Sequence, residues 1–184
     1  SYAMLNDDKG WAGHSRTDGS MRVSKRYTRQ MSFNERIYAA MDEVCPPIYN
    51  QLIFEGEGVL DPGAWLRAVD KASEANPGSR LVLKGFLGLS RWVDSGLTPR
   101  VREVHAPQWD GFGPVGAPFL EERLLFREGP TCEVVLIHGD IPRVAFRTHH
   151  AVMDGRGTLT WAEDVFRALR GENVIGSSST LTDV

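Results

Sequence analysis

Only five histidines occur among the 184 residues of this chain, yet two of them, His149 and His150, are adjacent, and Asp154 and Gly155 follow within a turn. Imidazole is the side chain whose proton affinity suits general-base work near neutral pH. If the preceding residues form a strand, neighbouring side chains point to opposite faces, so one ring can face a cleft while the other is enclosed as its support. Asp154 lies four residues after His150, a turn's span rather than a metal-ligand spacing. A buried aspartate there needs a cationic partner to stay charged, and Gly155 lets the backbone turn without a side chain in the way. Each piece has a plainer reading, because strand-end histidines are often structural and Asp-Gly is an ordinary turn. A metal centre needs a further ligand. His138 stands opposite His149 only in some registers, so the site is read as holding no metal.

The elements around the motif support its assembly. Thr131 to His138 alternates as a strand, Gly139-Asp140 supplies a tight turn, and Arg143 to Thr148 returns with Val144 and Phe146 on one face. A helix is expected to begin near Thr158 or Thr160, where Thr160 and Glu163 have capping-box spacing. Ala162, Val165, Phe166 and Leu169 form its stripe, with Arg167, Arg170 and Gly171 at its end. Upstream, Ser32-Phe33-Asn34-Glu35 opens a helix with Phe33, Ile37, Ala40, Met41 and Val44 at helical spacing, stopped by Pro46-Pro47. Ile48 to Glu55 reads as a strand. Asp61-Pro62 opens a second helix carrying Trp65, Leu66, Val69 and Ala72 inward and ending near Asn76-Pro77-Gly78. Short strands are expected at 81–86, 91–93 and 101–104, and a long surface loop with Trp109 and Phe112 between Ala106 and Pro118. This order predicts an α/β fold, a mixed sheet covered by helices.

Composition excludes several classes. The net charge is −3 with dispersed positive charge, which favours neither nucleic acid nor an anionic membrane as a partner. Cys45 and Cys132 are isolated and fit two free thiols in a reducing cytoplasm. No run of about 18 apolar residues is present. No G-x-S-x-G and no Gly-rich phosphate loop occurs; Gly111-Phe112-Gly113 leads into proline rather than a helix. Residues 1–30 read as a flexible or loosely docked leader, with Ser1-Tyr2-Ala3 before Met4 as a cloning remnant. The ordered lobe spans 31–172, and the serine-rich 173–184 reads as a linker.

HHAVMDG resembles the HHxxxDG motif of nonribosomal peptide synthetase condensation domains and related thioester-dependent acyltransferases of the chloramphenicol acetyltransferase fold. The hairpin approach from Glu128-Gly129-Pro130, and the segment Leu60 to Arg80 ending in ANPGSR, are also similar. The resemblance covers Ser32 to Glu172 and implies an N-terminal lobe of a two-lobed enzyme. It further implies that His150 is the active-site residue, deprotonating or positioning an amine or hydroxyl that attacks a thioester. His149 would support it. Asp154 would hold the turn through an ion pair, with Arg80 as the candidate partner and Arg147 and Arg156 as rivals. Gly155 would leave room for the acceptor and the pantetheine arm. No tightly bound cofactor is implied. The co-substrate would be acyl-CoA or a carrier-protein phosphopantetheinyl thioester, and the partners a second lobe in cis or trans, a carrier protein, or a second copy. The competing reading is a non-catalytic condensation-like module that recruits a carrier protein or partner subunit.

Overall fold

The alternation in Cys132–His138 and Arg143–His149 makes these two segments the centre of the molecule, because each presents apolar side chains to both faces and must be covered on both. The computed structural model describes residues 27–177. Residues 1–26, which hold most of the expected leader and the expected cloning remnant, and residues 178–184 lie outside the described residues.

The main sheet has four strands in the order β2 (Tyr49–Glu55), β7 (Arg143–His149), β6 (Cys132–His138) and β5 (Arg100–His105). β5 and β6 run parallel and the other pairs antiparallel, so the sheet is mixed. A smaller antiparallel sheet joins β1 (Thr28–Gln30), β4 (Arg91–Asp94) and β3 (Leu81–Lys84). β1 falls in the stretch read as leader. Its three residues carry no apolar pattern, and it is a strand because the β4 edge supplies hydrogen-bond partners, Thr28 opposite Val93.

Helices α2 (Pro62–Ala75) and α3 (Gly155–Leu169) cover one face of the main sheet. α2 starts where Asp61 accepts the Gly63 amide with proline at the first helical position, as the sequence predicts. Trp65, Val69 and Ala72 pack with Trp161 and Val165 over Val134, Val144 and Phe146. The Phe146 ring meets Trp161 edge-on, centroids 5.4 Å apart. Burying such a side chain contributes about 1.5–3 kcal/mol. Leu66, expected inward, is 49% exposed, because the inward face of α2 is completed by Ala68 and Ser73 instead.

The opposite face is covered by the segment between β5 and β6. Trp109, expected on a surface loop, is buried there with Ala117, Phe119 and Leu120 against Val135 and Ile137. Its indole donates to the Gly113 carbonyl at 3.1 Å, so the loop folds over its own aromatic residue. Phe112 does stay exposed.

Helix α1 (Phe33–Val44) begins with the expected capping box between Ser32 and Glu35. Its apolar stripe, however, faces outward: Phe33 is 76% and Val44 86% exposed, and Ile37, Ala40 and Met41 are exposed too. The residues turned inward are Ala39 and Asp42. Polar anchors orient this helix. Glu35 accepts from Arg29, from the Trp92 indole at 3.1 Å and from the Ser32 amide at 2.7 Å. Asp42 accepts from Arg123 at 2.9 Å and from the Ile48 amide at 3.0 Å.

Candidate active site

β7 ends at His149, paired with Tyr49 of β2, and residues 150–153 turn the chain into α3. The turn's amides, from His149 to Met153, all find acceptors, as enclosed donors require. The His149 amide donates to the Thr131 carbonyl and the His150 amide to the Ile48 carbonyl, both at 2.9 Å. The Val152 and Met153 amides return to the His149 carbonyl at 2.9 and 3.2 Å. From β2, the Asn50 amide group donates to the Met153 carbonyl at 2.7 Å and to the Thr148 hydroxyl at 3.3 Å. The Thr148 and Thr158 hydroxyls are 2.6 Å apart, joining β7 to α3. The motif is therefore held to the sheet and to the helix it opens.

The two histidines go to different environments. His149 is fully buried, edge-on to Tyr49 and Phe126. Its Nδ1 accepts the Ala151 amide at 3.1 Å, so the proton sits on Nε2. That nitrogen stands 3.5 Å from Asp42 Oδ2, outside good hydrogen-bond range but close enough for the carboxylate's charge to act. Burial holds the His149 pKa below the ordinary histidine value despite Asp42. Burial also opposes ionisation of Asp42, but Arg123 and the Ile48 amide outweigh it and keep its carboxyl below the usual range.

His150 emerges beside a cleft of about 420 Å³. Its ring lies flat against Tyr38 of α1, centroids 4.1 Å apart and planes inclined by 14°. Its Nδ1 is enclosed with no hydrogen-bond partner among the described residues. Arg29, Glu35, Tyr38, Met153 and Asp154 also line the cleft. Arg29 and Glu35 are paired at 2.5 Å, so this wall presents a balanced ion pair rather than one sign of charge. Among the described residues, no group of three or more histidines, cysteines, aspartates or glutamates is placed to hold a metal.

The expected role of Asp154 as an ion-pair partner is corrected by the geometry. Asp154 is exposed and is the N-cap of α3, its carboxylate accepting the Gly157 amide at 2.7 Å. The helix thus starts several residues before Thr158 or Thr160, and the Thr160 hydroxyl instead donates to the Arg156 carbonyl within the helix. Arg80 pairs with Asp94 at 2.7 Å. Arg147 is buried against Glu133, and Arg156 is exposed. Gly155 is the first residue of α3. A Cβ there would meet nothing within 4 Å, so neither the backbone nor the packing of this chain demands a glycine. Four contributors were missed in the sequence: Tyr38, Glu35, Asp42 and Asn50. The spacing of Tyr38 and Asp42, four residues apart on one helix face, is the signal that could have found two of them.

Solved structures of similar overall fold define the architecture. The condensation domain of the monacolin K polyketide synthase MokA superposes with a TM-score of 0.63 at 15% identity, over 80% of this chain and 35% of that one. The epimerization domain from the third module of tyrocidine synthetase B gives 0.65 at 17% identity, over 83% of this chain and 37% of that one. A single-site mutant of the starter condensation domain of rhizomide synthetase RzmA, in complex with C8-CoA, gives 0.63 at 16%, over 80% and 37%. This chain has the fold of a condensation-domain lobe. The condensation-like lobe spans well under half the length of each of these domains, and at such identities the likeness is one of fold. No family model and no curated protein matches the chain. Among the described residues, no helix of the condensation-like lobe is long and apolar enough to cross a membrane.

Proposed function

We propose that the condensation-like lobe takes part in thioester-dependent acyl transfer, with His150 as the general base and a second lobe completing the site. The observation that carries this reading is the placement of His150, at the end of a strand, on the wall of a cleft, and held flat by Tyr38. An imidazole so placed can take the proton from an amine or hydroxyl acceptor while the acceptor's lone pair attacks the thioester carbonyl carbon. Collapse of the tetrahedral adduct breaks the carbon–sulfur bond, and the departing thiolate recovers the proton from the imidazolium. One acyl group has moved and one free thiol is released. The donor would be acyl-CoA, in line with the C8-CoA complex of the RzmA neighbour, or a phosphopantetheinyl thioester on a carrier protein. Gly155, which this chain's own packing does not require, would leave space for a reactant. His149 and the Asp154 cap would hold the turn.

The test is thiol release from a panel of acyl-CoA donors with amine and alcohol acceptors, for the chain alone and with the remainder of a condensation domain supplied. Acceptor-dependent release should fall by about 10²–10⁴-fold in His150→Ala, the usual contribution of a positioned base, with an unchanged unfolding temperature. Undiminished release in that variant would overturn the reading. Binding of a phosphopantetheinylated carrier without turnover in either form would favour the recruiting module.

A further inference from the structure

Helix α1 meets the motif twice. Tyr38 lies on the His150 ring, and Asp42, one turn later, faces Nε2 of His149. We propose that Asp42 is a positioning residue for His150, keeping the His149 proton on Nε2 so that Nδ1 remains free to accept the Ala151 amide and hold the turn. This rests on the acyl-transfer reading for what His150 does, but not for how it is held.

The argument is one of proton inventory. A neutral imidazole carries one N–H and one bare nitrogen. The Ala151 amide, directly after His150, needs the bare one at Nδ1, and no described group makes a hydrogen bond to Nε2, where the Asp42 carboxylate acts by its charge. A carboxylate 3.5 Å from Nε2 stabilises the proton there and disfavours the tautomer that would set an N–H against the Ala151 N–H. Asp42 is itself pinned by Arg123 and by the Ile48 amide. Ile48 in turn accepts the His150 amide. One carboxylate therefore ties the helix that carries Tyr38, the strand edge that receives His150, and the tautomer of His149. The other groups around the His149 ring are Tyr49 of β2, Phe126, Arg123 and His150. None of them offers a second anion. Protonating His149 would add a hydrogen at Nδ1 and remove the acceptor that Ala151 uses.

The experiment reads the rings directly, in the intact protein. Nitrogen NMR of labelled histidines should show His149 as the Nε2–H tautomer in the wild type and a loss of that single state in Asp42→Asn. His150 exposure is followed in parallel by its rate of carbethoxylation, located by mass spectrometry. His149→Asn places an amide oxygen where Nδ1 accepts, and should keep that rate within about twofold. His149→Leu, with no acceptor, should change it by about tenfold or more, the scale of a lost orienting partner. A His149 proton on Nδ1 in the wild type would overturn the proposal, as would equal rates in the Asn and Leu variants. If Asp42→Asn does not fold, the His149 pair decides. Absence of thiol release in the wild type would count against acyl transfer while leaving these ring measurements to judge the positioning.

Discussion

Along β7, Val144, Phe146 and Thr148 point toward α2 and α3, and Arg143, Arg147 and His149 point the other way. The first set meets a dry, close-packed layer in which burial pushes the Cys132 thiol up to about 12. The second set meets ionised groups. Glu133 is fully enclosed yet accepts from Arg147, from Arg100 at 2.5 Å and from Arg102 at 3.1 Å. Arg147 also donates to the Leu120 and Glu122 carbonyls. Apolar burial is non-directional and holds the strand down wherever it lies. Paired charges are costly to desolvate, but they accept few geometries. The contrast assigns stability mainly to apolar burial, larger on the helix-covered face than around Ala145, Trp109 and Phe119 on the other, and strand register together with the approach to the histidine turn to the charged residues.

The sharpest way to break this division is Glu133→Ala, which leaves Arg147 buried without its partner and should cost about 3–5 kcal/mol by denaturant titration. Replacing both residues together, Glu133→Leu with Arg147→Met, should recover most of that loss. A double variant as unstable as the single would mean that the charged face supplies net stability as well.

Acid titration sharpens the same contrast with a smaller effect. Because the folded pKa of His149 lies below its ordinary 6.5, its share of stability is fully present above that value. It is lost as pH falls toward the folded pKa, since the unfolded chain then binds the proton more readily. Glu133 and Asp42 are also lowered: burial opposes this in both, but the arginines at Glu133, and Arg123 with the Ile48 amide at Asp42, outweigh it. Their contribution is present above the ordinary carboxylate range and lost as pH falls below it. Unfolding against pH should therefore show two stages, and His149→Asn should remove the first while retaining the second. The smallest expected change is Asp154→Ala, about 1 kcal/mol for a lost helix cap, measured by thermal unfolding. A loss several times larger would restore Asp154 as a buried charge partner.

Much of the frame was legible in the sequence because local chemistry dictates it. Ser32 with Glu35 and Asp61 with Pro62 are cap signals that need no tertiary context, and the strands from Thr131 to His149 alternate plainly. The misreadings share a cause. Thr160 and Glu163 have capping-box spacing, but Asp154 reaches the Gly157 amide first, and the glycines at 155 and 157 carry no apolar marker of a helix. The spacing in α1 revealed a helix without revealing which side would be covered, and the anchors Glu35 and Asp42 turned it over. Arg80 finds Asp94 because β3 and β4 pair, a fact that spacing along the chain does not carry. His149 and His150 could be divided between two faces by alternation alone. Asp42 and Tyr38, about a hundred residues away, became visible only once α1 was docked.

One further contact has a kinetic meaning. After α3 the chain doubles back, and the buried carboxylate of Asp164 takes the Ile175 and Gly176 amides and the Asn76 side chain, each at 2.8 Å. The Ser177 amide then donates to the Ala75 carbonyl, which places Ser177 on the wall of the cleft that His150 lines. A group tethered at position 177 would begin its search already at the site, at a local concentration set by tether length rather than by bulk dilution. A short thioester or a dye linked there would turn a bimolecular encounter with His150 into an intramolecular one.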